Sequence, residues 1–127
     1  AYNVTTDLIN SGTEFNYIFA NNDMMAQGCY NALKDAGKEN IPIVSTGGSP
    51  DGFKMLQDGI EAANMTAPVS IQGVKTFMNL YNKVALGEDP AEKFTALPVI
   101  PVSADDTSSY IAWDDYAAAY KYLGENK

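Results

Sequence analysis

The sequence predicts an α/β protein with an open parallel sheet flanked by helices. Short runs suited to strands occur at 17–20, 41–46 and 61–66, and an amphipathic stretch follows each of them. Regular alternation of this kind is typical of a parallel sheet covered by helices on both faces. The length of 127 residues fits one domain that can bury a substantial core.

The composition argues against several classes of function. The chain carries 8 basic and 16 acidic residues, which gives a formal charge of -8. This acidic balance, with no basic run, argues against partners such as nucleic acid and anionic membranes, which require clustered Lys and Arg. Histidine is absent, so the commonest general base and metal ligand is missing. We therefore expect a protein that is not an enzyme and that holds no metal or cofactor.

The first predicted unit is a strand, a polar turn and a helix. The strand covers 17–20, and the turn Asn21-Asn22-Asp23 follows it. Asn and Asp side chains compete for backbone hydrogen bonds and favour helix caps, and we expect Asp23 to cap this helix. Apolar residues then recur at helical spacing, and Gly37 suits a left-handed C-terminal cap. A short helix capped by Thr6 is predicted ahead of this unit.

The second unit has the same order. The β-branched run 41–46 leads into the turn Gly47-Gly48-Ser49-Pro50. Ser49 suits a helix N-cap, and Pro50 suits the first helical position because its missing amide proton is not needed there. A short helix and then the third strand, 61–66, are predicted to follow. This third run has the weakest strand pattern of the three, since Ala and Asn are poor strand formers.

A long helix, an extended run and a terminal helix complete the predicted order. Pro68 opens the long helix, which continues to Leu86. Two prolines in the run 94–102 reduce it to an edge strand or a connector, since proline cannot donate to a strand ladder. The terminal helix is predicted over 110–123. An apolar stripe at helical spacing follows the long helix and consists of Val74, Phe77, Tyr81 and Val84.

The three predicted strands all end in polar or glycine-rich turns. If the strands are parallel, these turns meet at one edge of the sheet, which is where ligands bind in open α/β folds. The turns carry donors and acceptors but few charges, so they form a polar rim. The candidate ligand-binding positions of this rim are Asn21, Asn22, Asp23, Thr46, Gly47, Ser49, Thr66 and Ala67.

Two segments carry a family resemblance. FANNDMMAQGCYNALKDAGKENIPIVST and GSPDGFKMLQDGIEAANMTAPVSIQGVKTFMNLYNKVALGE, together 19–88, resemble the C-terminal half of the periplasmic sugar-binding proteins related to the ribose-binding protein. The shared pattern is a strand, an Asn-Asp pair, Met-Ala-x-Gly, a helix ending in Ala-Gly, a β-branched strand and a Pro-Asp-Gly turn. A long helix ending in Gly-Glu follows.

The resemblance implies one lobe of a two-lobe, type 1 periplasmic binding protein. In that family two α/β lobes close on a sugar. Residues 1–127 would form the C-terminal lobe, with 68–99 packing on an N-terminal lobe that is missing here or supplied by a second chain. The implied function is non-catalytic binding of a sugar or polyol for an ABC importer or a chemoreceptor. The implied partner is a membrane permease, and the implied location is the periplasm or the extracytoplasmic face.

The resemblance transfers only part of the family's sugar contacts. Asn22 matches the family asparagine that hydrogen-bonds sugar hydroxyls. Gly47 stands where many members have an aspartate, and Ala67 stands where the ribose-type proteins have a glutamine. Each lost contact to a charged group would remove about 1.5–3 kcal/mol. We therefore expect a ligand other than ribose, or compensating contacts from neighbouring polar residues of the rim.

Other interpretations remain open. One alternative is the effector-binding half of a lactose-repressor-type transcription regulator, which shares this fold and a similar Asn-Asp motif. A flavodoxin-like or phosphoacceptor domain would also fit the length. The tail aromatics Tyr110, Trp113, Tyr116 and Tyr120 have helical spacings, which favour a docked helix, although such side chains could instead stack on a sugar ring.

Overall fold

The computed structural model describes residues 1–67, 69–90, 92–97 and 99–125. Two residues used in the sequence analysis, Pro68 and Pro98, lie outside these ranges. Within the described part, five α-helices, one π-helical turn and four strands follow one another. They are α1 (Tyr2–Asn10), β1 (Ile18–Ala20), α2 (Asp23–Asp35), β2 (Ile43–Gly47), α3 (Pro50–Gln57), β3 (Glu61–Thr66), α4 (Val69–Tyr81), the π-helical turn (Asn82–Leu86), β4 (Ile100–Ser103) and α5 (Tyr116–Glu125).

The sheet has the order β1-β2-β3-β4. The first three strands are parallel, with Ile18 opposite Ile43 and Gly47 opposite Thr66, as predicted from the alternation of strands and helices. The fourth strand is an edge strand that runs antiparallel to β3. It begins only at Ile100, so the described residues 94–97 and 99 of the predicted run 94–102 are not strand.

The main core lies between α2, α3 and one face of the sheet. Its buried residues are Ala20, Ala26, Cys29, Leu33, Ile43 and Met55. The parallel register places Phe19 and Met65 on the opposite face. There Phe19 is 61% exposed and Met65 is 42% exposed. The described part of the chain therefore packs its main core on one face of the sheet and leaves apolar side chains of the other face in solvent.

The prediction that Thr6 caps the first helix is wrong. This helix begins earlier, at Tyr2, with Ala1 at the N-cap and no side-chain cap. Thr6 lies inside the helix, where its hydroxyl donates to the Tyr2 carbonyl oxygen one turn back at 3.0 Å. Hydroxyl residues have this second option within a helix, so their presence does not mark a cap by itself.

The terminal helix is also shorter than predicted, because its predicted first turn serves another purpose. It begins at Tyr116 rather than Tyr110. The Tyr110 hydroxyl donates to the Ser49 carbonyl oxygen at 2.6 Å, and the Trp113 amide donates to the Gly48 carbonyl oxygen at 3.1 Å. The segment before α5 is therefore bound to the turn between β2 and α3.

In the described residues no helix is long and apolar enough to cross a membrane.

Candidate ligand-binding site

The ends of β2 and β3 meet at one edge of the sheet, as the sequence predicts. Gly47 pairs with Thr66 in the strand register. One residue further, the Ala67 amide donates to the Gly47 carbonyl oxygen at 2.6 Å. Residues 21–23 follow β1 at the same edge, because β1 runs parallel to β2. The rim predicted from the sequence therefore exists as a contiguous edge.

Asn22 caps the helix that follows β1. Its side-chain oxygen accepts a hydrogen bond from the Met25 amide at 2.9 Å, in an extended backbone conformation typical of an N-cap. The cap uses the oxygen of the side chain, so the amide nitrogen can donate to a ligand at the same time. Asn22 is half-buried and Asn21 is exposed at the rim.

The prediction that Asp23 is the capping residue is wrong. Asp23 is 4% exposed and occupies the first position of α2. Its carboxylate accepts hydrogen bonds from the Gly48 amide at 3.2 Å and from the Ser49 amide at 2.8 Å. The Ser49 hydroxyl donates to the same carboxylate oxygen. Asp23 therefore binds the turn between β2 and α3 and holds its shape.

The position of the Asp23 carboxylate explains why two neighbouring residues are glycines. A Cβ atom on Gly47 or on Gly52 would overlap the carboxylate group. The neighbouring Gly48 has φ 122°, a backbone conformation that residues with a side chain rarely adopt. Gly47 is the position where the resemblance places an aspartate in many relatives. In this chain the Asp23 carboxylate lies against that position, so a side chain there would have to displace it.

Ser49 caps α3 as predicted. Its hydroxyl oxygen accepts from the Gly52 amide at 3.0 Å, and Pro50 follows at the first helical position. Thr66 is fully buried, and its hydroxyl donates to the Ile100 carbonyl oxygen at 3.0 Å, which ties β3 to β4. Thr46 is half-buried. The rim therefore contains positions open to a ligand and positions that support them from beneath.

A buried polar network below the rim was missed by the sequence analysis. Ser45 donates to Glu61 at 2.8 Å, and the Asn64 amide nitrogen lies 2.8 Å from an Asp23 oxygen and 3.0 Å from a Glu61 oxygen. Burial is the largest cause that raises the pKa of Glu61, and the negative charge of Asp23 acts in the same direction. Hydrogen bonds from Asn64 and Ser45 oppose this shift. The network connects β2 and β3 to the residue that shapes the turn.

The only sequence signal for this network was a pair of polar residues, Glu61 and Asn64, in a predicted strand. Such residues are compatible with an exposed strand face, and nothing local shows that both point inwards. Tyr110 reaches the same region from the tail. Burial raises the pKa of its hydroxyl far above the ordinary value, and the charges of Asp23 and Glu61 add to the effect.

The described residues contain no group of three His, Cys, Asp or Glu side chains placed to hold a metal ion. The two acidic side chains at the rim's base are engaged with amides and hydroxyls of the protein. The part of the rim that is open to solvent is therefore polar and largely uncharged. It can donate and accept hydrogen bonds, which suits a neutral ligand that carries hydroxyl groups.

Comparison with known proteins gives related sequences but no family model matches the chain. The ribose import binding protein of Escherichia coli is 35% identical over 95 residues, which cover 72% of this chain and 31% of that protein. The corresponding protein of Haemophilus influenzae is 38% identical over 71 residues, 56% of this chain and 24% of that protein. The chain thus spans about a third of the length of these curated relatives.

Solved structures share the fold at low sequence identity. An ABC transporter solute-binding protein from Bacillus halodurans with bound myo-inositol superposes with a TM-score of 0.78 at 24% identity, over 92% of this chain and 38% of that chain. A periplasmic solute-binding protein from Actinobacillus succinogenes with bound D-allose also gives 0.78, at 20% identity, over 86% of this chain and 38% of that chain. At these identities the likeness concerns the fold alone.

Proposed function

Because this chain belongs to the periplasmic sugar-binding proteins of the ribose-binding type, we propose that it binds a small, uncharged, polyhydroxylated solute. The observation that carries this proposal is the polar, largely uncharged rim at the carboxyl ends of β1, β2 and β3. Open α/β sheets bind ligands at this edge. The relatives named above are sugar-binding transport proteins, which supports a sugar or a polyol as the solute.

In this proposal Asn22 is the principal contact. Its amide nitrogen donates to a sugar hydroxyl while its oxygen caps α2. Asn21, Thr46 and Ser49 offer further donors and acceptors, and the backbone at Gly47 and Ala67 approaches the ligand closely. Asp23 and Thr66 act beneath the ligand, because both are buried and engaged with the protein. Gly47 and Ala67 have no polar side chain that could bind ribose as the family's aspartate and glutamine do. This supports a ligand other than ribose.

We further propose that binding serves transport or sensing, with no chemistry on the ligand. The partner would be the permease of an ABC importer or a chemoreceptor, at the periplasmic or extracytoplasmic side of the membrane. Residues 68–99 would pack on an N-terminal lobe, either in the same polypeptide or in a second chain. Most small-molecule sites enclose about 70–90% of the ligand surface, so a single lobe would bind weakly.

A calorimetric screen tests the proposed function. The longest natural polypeptide that contains this segment is titrated with monosaccharides, disaccharides and myo-inositol, and with nucleotides and duplex DNA in parallel. We expect saturable heat with at least one sugar or polyol. If nucleotides or DNA bind and no sugar or polyol does, the proposal is wrong, and DNA binding would favour the repressor-type regulator instead.

A substitution at Asn22 separates the ligand contact from the helix cap. Asn22→Ser keeps a good capping oxygen and removes the amide donor. We expect little change in thermal stability and about a tenfold or greater loss of sugar affinity, which corresponds to about 1.4 kcal/mol. Asn40→Ser, at an exposed position between α2 and β2, is the matched control. Unchanged sugar affinity in Asn22→Ser would remove Asn22 from the site.

A further inference from the structure

The turn between β2 and α3 is held by two separate parts of the chain. The amides of Gly48 and Ser49 donate to the Asp23 carboxylate at 3.2 and 2.8 Å. The Gly48 carbonyl oxygen in turn accepts from the Trp113 amide at 3.1 Å. The Ser49 carbonyl oxygen accepts from the Tyr110 hydroxyl at 2.6 Å. Thus α2 binds the backbone donors of this turn, and the tail ahead of α5 binds its backbone acceptors.

The part of the tail that reaches this turn is itself fixed by packing. The ring of Tyr110 lies against Phe53 of α3, with the ring centroids 4.8 Å apart. The next residue, Ile111, is buried and packs with Ile71 of α4 in a second core cluster. These contacts join packed residues of this chain to one another. They therefore hold whether or not another lobe covers its open surfaces.

The hydroxyl of Tyr110 is a dependable donor for this contact. Burial is the largest cause that raises its pKa far above the ordinary value, and the negative charges of Asp23 and Glu61 act in the same direction. The hydroxyl therefore keeps its proton at neutral pH. The Ser49 carbonyl oxygen also accepts from the Phe53 amide at 3.0 Å. Loss of the tyrosine hydroxyl would therefore loosen the turn without leaving this oxygen unpaired.

The placement of this turn matters because a glycine offers a ligand only its backbone. Gly47 ends β2 at the rim, and it has no side chain that could adjust to a ligand by changing its rotamer. A ligand there meets main-chain atoms, so a shift of the turn moves the contact directly. Sites whose contact groups are held in place before binding lose less conformational entropy when the ligand arrives.

We propose that Tyr110 is a positioning residue of the solute site. Its hydroxyl holds the turn 47–49 from the tail while Asp23 holds it from α2, and together they keep the backbone of Gly47 in the geometry that binds the ligand. This inference rests on the proposed function, because it requires a sugar or polyol at the rim. Tyr110 lies outside residues 19–88, on which the family resemblance rests, so the resemblance does not assign it this role.

Tyr110→Phe tests this role, because it removes the hydroxyl and keeps the ring on Phe53. The longest natural polypeptide that contains this segment is titrated calorimetrically with D-glucose, D-galactose, D-xylose and myo-inositol. We expect the variant to bind the tightest of these probes about three- to tenfold more weakly than the parent, since a turn that is no longer held must be ordered on binding. Circular dichroism confirms that the variant is folded before titration.

Hydrogen–deuterium exchange of residues 47–52, followed by mass spectrometry, reports on the turn itself. We expect exchange of this segment to be about three- to tenfold faster in Tyr110→Phe, because a turn that lacks one of its hydrogen bonds opens more readily. Saturation with the same probe should return the exchange to the parental rate. A tyrosine that only docks the tail would change neither quantity. Tyr30→Phe, at a half-buried tyrosine of the main core, is the matched control and should leave both unchanged.

The possible failures are distinguishable. If Tyr110→Phe keeps the parental affinity, with or without faster exchange of the turn, the inference is wrong while sugar binding at the rim stands. If Tyr110→Phe does not fold, Phe53→Leu, which removes the ring that supports Tyr110, is measured in the same way and should weaken binding and speed exchange. If neither these probes nor the saccharides of the wider screen bind the parent, both the inference and the proposed function are overturned.

Discussion

The Asp23 carboxylate accepts hydrogen bonds from both the amide and the hydroxyl of Ser49, 26 residues further along the chain. This contact joins the first turn of α2 to the first turn of α3. It also places a buried carboxylate where the amides of the turn would otherwise lack a partner. The geometry of the rim depends on it, because Gly47 ends β2 and Gly48 lies between that strand and the helix that Ser49 caps.

Removal of the Asp23 carboxylate should destabilise the fold. Asp23→Ala leaves the amides of Gly48 and Ser49 without their acceptor and removes one of the acceptors of the Asn64 side chain. We expect the free energy of unfolding to fall by about 2–4 kcal/mol, since each buried donor left unpaired is costly. Urea denaturation followed by circular dichroism measures the change. Asp7→Ala, at an exposed helical position, should stay within about 0.5 kcal/mol. A loss as small as that of the control would show that the network is dispensable.

Glu61 should make stability depend on pH. Burial raises its pKa above the ordinary value of 4.5. Between 4.5 and the higher folded value, the folded state binds more protons than the unfolded chain. The free energy of unfolding therefore falls as pH rises through this window and levels off above it.

Glu61→Gln should remove that decline. The Ser45 hydroxyl can accept from the new amide nitrogen and donate to Asp23, so the network keeps its hydrogen bonds. We expect the variant to be more stable than the parent at pH 7 and to lack the decline above pH 4.5. Chemical denaturation at a series of pH values tests this, with the exposed Glu14→Gln as the control. Identical pH profiles for parent and Glu61→Gln would show that Glu61 ionises normally in the folded state.

Two glycines should respond to alanine in opposite directions. Gly47→Ala places a methyl group on the Asp23 carboxylate, and we expect a loss of about 1–3 kcal/mol from overpacking. Gly73→Ala lies in α4 with no atom near the new methyl group. It should stabilise the chain by about 0.5–1 kcal/mol, because alanine loses less backbone entropy in a helix. Thermal unfolding of both variants compares them, and similar effects at the two positions would contradict this explanation of Gly47.

The apolar stripe of the long helix should promote self-association of the chain. Val84 is 76% exposed, and Tyr81 and Phe77 are exposed beside it with stacked rings. Exposed apolar patches of this kind mark interaction surfaces. We expect dimers or larger species in sedimentation velocity at micromolar concentrations. Tyr81→Lys with Val84→Lys should return the chain to a monomer, whereas Asp51→Lys in α3 with Asp58→Lys at its C-cap should not. A monodisperse parent chain would contradict the prediction.

Local sequence patterns were sufficient for the three parallel strands, for the helices between them and for the position of the rim. Apolar runs bounded by polar or glycine-rich turns located all three parallel strands, and the cap at Ser49 followed from a serine before proline. These features depend on steric effects and hydrogen bonds between residues that are close in sequence, so a single segment is enough to predict them. The prediction that strand ends share one edge needed only the parallel arrangement.

The tertiary structure alone decided which polar side chains point inwards. The members of the buried polar network are up to 41 positions apart in the chain. Their hydrogen bonds exist only because the fold brings α2, β2 and β3 together; the four residues are Asp23, Ser45, Glu61 and Asn64. For the same reason Asp23 supports the turn while Asn22 caps the helix, a distinction that two adjacent polar residues do not reveal. The start of α5 likewise depends on tertiary contacts, because Tyr110 and Trp113 bind a distant turn and the helix that their spacing predicts does not form there.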